Sequence, residues 1–121
     1  MNTLLLFLFL VWIAQSAVPA GRYHIVGHYP DVPIRVLDFQ GQNTMLLGFK
    51  DTTMKTTFTM PSTGCSIQPK LSKSQTAQLV KKYPQYIEAT TLANFQCSTS
   101  GGFTIVIDYK GGLDMYYSSG G

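Results

Sequence analysis

Between Arg22 and Met60 apolar and polar residues alternate in short runs broken by Gly, Pro and Asp, the pattern of consecutive β-strands with one face buried. Four strands follow from it. Arg22–His28 sets Tyr23, Ile25 and Gly27 on one face, with His24, Val26 and His28 on the other. Pro30-Asp31-Val32-Pro33 then turns the chain, because each proline fixes φ and lacks a backbone donor. Ile34–Phe39 and Thr44–Phe49 flank a connection short enough for a hairpin, residues 40–43. In Thr53–Met60 the side with Met54, Thr56, Phe58 and Met60 opposes a water-facing side of Lys55, Thr57 and Thr59.

After Pro61-Ser62-Thr63-Gly64 the alternation stops, and Cys65 falls in an irregular stretch. A helical period takes over near Ser72. Ser72 and Gln75 form a capping box, each side chain placed to satisfy a backbone N–H of the first turn. Ala77, Leu79, Val80 and Tyr83 follow as an apolar stripe, and Pro84 disfavours helical geometry at Tyr83. A helix of about eleven residues does not persist alone in water, so its stripe must dock on the sheet. Leu92–Cys97 is a weakly patterned strand. Phe103–Tyr109 is a strongly patterned one, and Leu113–Tyr117 pairs with it across Lys110-Gly111-Gly112. The expected fold is α+β: a mainly antiparallel sheet, one helix from about Ser72 to Tyr83 packed on it, and one disulfide.

The N-terminal segment changes the setting. An apolar run from Leu4 to Ala14 is followed by Gln15-Ser16-Ala17-Val18-Pro19-Ala20 before any charge occurs. A run of about eleven residues suits the core of a secretory signal peptide and is too short for a permanent membrane span. Residues 1–20 are read as that signal, with cleavage after Ala20, since Val18 and Ala20 are small; cleavage after Ser16 is the other candidate. Residues 21–121 then form a single small domain, secreted and without a membrane span.

Export bears on the cysteines. Cys65 and Cys97 are the two cysteines of the chain, and in an oxidising compartment such a pair is read as one structural disulfide. Closing a loop of about 33 residues stabilises a fold by roughly 3–4 kcal/mol in the chain-entropy description. The net charge of +3 comes from nine basic and six acidic residues. All of them follow Ala20 and they are thinly spread, unlike the dense basic stripe of a dedicated nucleic-acid binder.

Candidate chemistry is sparse. His24 and His28 lie on one face of the first predicted strand, roughly 13 Å apart and too far to share a metal ion. Two histidines flanking a scissile phosphate, with Glu88 as a base, are what a small secreted ribonuclease would need. There is no Gly-x-Ser-x-Gly, no phosphate-binding glycine loop and no metal-ligand spacing, so neither a metal nor a cofactor is expected. Tyrosine is better represented. Tyr109 and Tyr117 point one way on the C-terminal hairpin and Tyr116 the other, which makes Tyr116 a candidate contact. Lys81 and Lys82 form the main basic cluster and are the second binding candidate.

No stretch carries a family motif. In size, export signal and cysteine count the chain is similar to small single-disulfide proteins that fungi and other parasites release into a host, some of which resemble ribonucleases in fold without cleaving RNA. The functional expectation is a secreted, non-catalytic binding module, effector-like, acting on a protein or other macromolecule of a host or extracellular setting. The alternative is a small secreted ribonuclease or an RNA-binding protein of that kind.

Overall fold

The computed structural model of the protein describes residues 18–41 and 43–119; the apolar run read as a signal core and the bond after Ser16 lie outside them. The chain forms β1 (Gly21–Ile25), β2 (Ile34–Gln40), β3 (Thr44–Phe49), β4 (Thr53–Thr59), β5 (Ser66–Pro69), α1 (Lys73–Lys82), a 3-10 turn (Ala89–Leu92), β6 (Phe95–Ser98), β7 (Thr104–Tyr109) and β8 (Leu113–Ser118). Each strand pairs antiparallel with the next, and β8 returns to β1 through His24↔Ser118 and Ile25↔Tyr117. The result is a closed eight-stranded barrel.

This corrects the expected α+β sheet with a helix on its face. Closure follows from strand count and twist: a strongly twisted sheet of eight short strands removes both edges by curling until they pair. The strand missed in the sequence is β5, whose Ser-Ile-Gln-Pro run carries little alternation. Its proline stands at the strand end, where a missing donor is tolerated.

Inward side chains line up in rungs. Tyr23, Leu37, Leu47 and Met54 are successive partners across β1–β4, and Ile105, Tyr117 and Ile25 across β7, β8 and β1. A side chain bordering a void that admits water keeps accessible surface. Yet Tyr23, Leu37, Phe39, Met45, Leu47, Ile67, Phe95, Ile105, Ile107, Tyr109 and Tyr117 are all at most 1% exposed. Side chains therefore fill the barrel, and it offers no ligand chamber among these residues. Aromatic edges do much of the filling: Tyr23 meets Phe39 at 5.5 Å and Phe39 meets Phe58 at 5.3 Å, both near-perpendicular.

The long β5–β6 connection, residues 70–94, closes one end of the barrel. Leu79 of α1, then Ile87 and Leu92, are its buried anchors. Ser72 caps α1 by accepting from Gln75 N–H at 3.0 Å, while the Gln75 side chain accepts from Ser72 N–H at 2.9 Å. The disulfide joins Cys65, just before β5, to Cys97 on β6, with Cα atoms 5.1 Å apart, so it pins the two strands between which this connection leaves and returns. At the same end the β1–β2 loop is held by Arg35, whose guanidinium donates to the carbonyls of Tyr29 and Val32. No helix among the described residues is long and apolar enough to cross a membrane.

Candidate functional site

With the interior filled, chemistry and recognition fall to the outer surface and the barrel ends. The outer surface carries concavities lined by described residues. One, of 210 Å³, lies on the wall of β1–β4 beside the Arg22–Asp38 ion pair, floored by Val36, Leu46 and Gly48. A second, of 260 Å³, lies at the C-terminal end of α1 among Asp31, Lys82, Tyr83 and Tyr86. A third, of 510 Å³ and larger than these two, runs along α1 between the helix, Leu71 and Ala89.

This groove has a simple origin in the helix sequence. Lys73, Thr76, Ala77, Val80 and Lys81 recur at the i, i+3, i+4, i+7, i+8 spacing of one helical face, whereas Leu79 points to the barrel and is buried. The stripe expected to dock as a unit is thus divided. Leu79 anchors, Val80 and Tyr83 are half-buried, and Ala77 is exposed on the groove floor. Leu71 and Ala89 supply the opposite apolar wall. Lys73 and Lys81, eight residues apart, stand about 12 Å apart along the axis at the two ends of that floor.

The charge at these ends is uneven in its effect on the helix. Lys81 in the last turn opposes the negative end of the helix dipole and stabilises it. Lys73 is different: it sits in a first turn that holds no acidic residue, where a cation works against the dipole. An anion seated beside Lys73 would relieve that conflict.

The other sequence candidates disperse around the barrel. Lys82 turns away from the groove to Asp51, 3.2 Å off, and lies 5.4 Å from the centre of the Tyr83 ring. The Asp51 hydrogen bond, with Tyr83 adding to it, raises the Lys82 pKa. The Tyr83 ring is itself stacked on Phe49 at 5.6 Å. Tyr116 points outward from β8, 52% exposed, beside Val26, whose N–H donates to the Tyr116 carbonyl. Tyr116 lines none of the three concavities.

His24 faces outward on β1. His28 lies in the following loop, since β1 ends at Ile25, so the continuous strand that put both on one face is shorter than the sequence suggested. Glu88 caps the 3-10 turn: its N–H donates to Thr91 Oγ1, and its carboxylate accepts from Thr90 at 3.4 Å. Among the described residues no hydrogen bond joins His24, His28 and Glu88 to one another, and none of the three lines any of these concavities. Nor do three or more His, Cys, Asp or Glu side chains converge to hold a metal among them.

Sequence reasoning missed Leu71, Lys73, Thr76, Ala77, Val80 and Ala89 as surface-binding residues. The signal for four groove-facing positions was present in the five-residue helical spacing that starts at Lys73. It was obscured because Val80 was assigned with Leu79 to a single docking stripe. Comparison of the chain with protein-family models, known proteins and solved structures returns no match.

Proposed function

We propose that the chain is an exported, non-catalytic binding module that engages a macromolecule outside the producing cell through the groove along α1. The observation that carries this reading is the groove's chemistry: an apolar floor of Ala77, Val80, Leu71 and Ala89 ended by Lys73 and Lys81. Such a groove suits a protein segment with an apolar face and carboxylates spaced about 12 Å apart, the helix-in-groove mode of recognition. The filled barrel supports an outer-surface role, and the dispersal of His24, His28 and Glu88 gives the ribonuclease alternative no assembled site to draw on. The effector-like part of the reading rests on size, the export signal and the single disulfide.

The test is fluorescence anisotropy of a labelled acidic amphipathic peptide with the oxidised protein, beside the same peptide with its carboxylates replaced by lysines. The acidic peptide should bind, more weakly at higher salt, and the Lys73→Glu/Lys81→Glu double variant should reduce its affinity at least tenfold while leaving the thermal midpoint in place. Equal affinity for the two peptides, or binding unaffected by the double variant, overturns the assignment of the groove.

A further inference from the structure

The barrel end opposite α1 is covered by residues just upstream of β1. Val18 is 5% exposed and belongs to the core, and the Tyr23 hydroxyl donates to the Pro19 carbonyl at 2.9 Å. The Tyr23 ring beneath is 1% exposed and packs edge-on against Phe39 and Phe103. Gly21 has φ +129°, a backbone region that side chains disfavour and glycine tolerates. That reversal carries residues 18–20 back over the barrel mouth. An N-terminal residue would need no such geometry.

We infer that the processed protein keeps Val18 and Pro19, and that its export signal is severed at the Ser16–Ala17 bond. The inference rests on reading the N-terminal segment as an export signal. Signal removal favours small residues at the cut and two positions before it. Ser16 with Ala14 satisfies this as well as Ala20 with Val18 does, so the sequence leaves both bonds eligible. The folded state separates them. Water added across Ser16–Ala17 leaves a carboxylate on Ser16 and a new ammonium on Ala17, ahead of the covering segment. The same hydrolysis after Ala20 removes Val18 from the core and takes the acceptor from the Tyr23 hydroxyl.

N-terminal sequencing and intact mass of the exported product, expressed from the full chain, test this directly. A product beginning at Ala17 supports the inference. One beginning at Gly21 overturns it and leaves the export reading standing, whereas unprocessed or retained protein overturns both. Val18→Asp supplies the second readout. If Val18 is retained and buried, the exported variant melts at least about 5 °C below the parent; an unchanged midpoint overturns the inference.

Discussion

The hydroxyl of Tyr117 donates to the carbonyl of Ile34 at 2.6 Å and receives the hydroxyl of Tyr109 at 2.7 Å, all within the barrel. Two tyrosines eight residues apart on neighbouring strands thus extend a single hydrogen-bond chain to a third strand, and the chain ends on backbone.

The order of the chain predicts unequal losses. Tyr117→Phe removes both the donor to Ile34 and the acceptor for Tyr109, and should cost about 1–3 kcal/mol. Tyr109→Phe leaves the bond to Ile34 in place and should cost about 1 kcal/mol. Urea unfolding midpoints check the order, which reversed values would refute.

Burial raises the pKa of both tyrosines, and for Tyr117 the neighbouring Tyr109 adds to the rise; the charge of Arg35 opposes it in each. A phenol held protonated in the folded state contributes full stability below its unfolded pKa near 10 and loses it as pH rises above that value. Stability should therefore fall above about pH 10 by up to roughly 1.4 kcal/mol per pH unit for each tyrosine. In an alkaline titration followed by tyrosinate absorbance, these two should ionise together with unfolding. Ionisation of all tyrosines before any loss of structure would contradict the network.

Reduction of Cys65–Cys97, or Cys65→Ser with Cys97→Ser, should lower stability by about 3–4 kcal/mol. The effect should be largest in β5, β6 and the connection between them, the loop that the bridge closes. Denaturant unfolding gives the magnitude, and amide exchange by mass spectrometry gives the location.

Asp108 and Asp114 are directly paired on the outer face of β7–β8. Asp108 shares a hydrogen bond with Asp114 and so raises its pKa, with a smaller part from desolvation. The folded state thus holds this proton more tightly than the unfolded chain, and stability from it is lost as pH rises through the carboxylate range. Asp114→Asn should raise the thermal midpoint at neutral pH, and the gain should shrink as pH falls and Asp114 takes up its proton. A lower midpoint at neutral pH would refute the repulsion.

How far the sequence disclosed this molecule varies along the chain. β3 and β4 were legible because their more and less buried positions alternate without interruption, β2 because it does so from Val36 onward, past an irregularity between Ile34 and Val36, and α1 because Ser72 and Gln75 mark its start. β5 was not, since Ile67 is the single strongly apolar residue before its terminal proline. Closure was not legible either. It depends on pairing Ile25 with Tyr117, and periodicity within a strand carries no information about a partner so remote in sequence. The candidate lysines show the same limit, because helical spacing located Lys81 and Lys82 on one turn but could not tell which faced Asp51 and which the groove.

The seam between β1 and β8 has one more consequence. The strands are antiparallel, so the first residue of β1 and the last of β8 emerge at the same end of the barrel, and every strand neighbours its successor around the full circle. The architecture is a ring with one link left open. A short linker from Ser119 to Val18 would close it, and new termini cut at the Gly111-Gly112 turn would leave each strand with its present neighbours. The barrel is then specified by cyclic order, and the position at which translation begins is incidental to it.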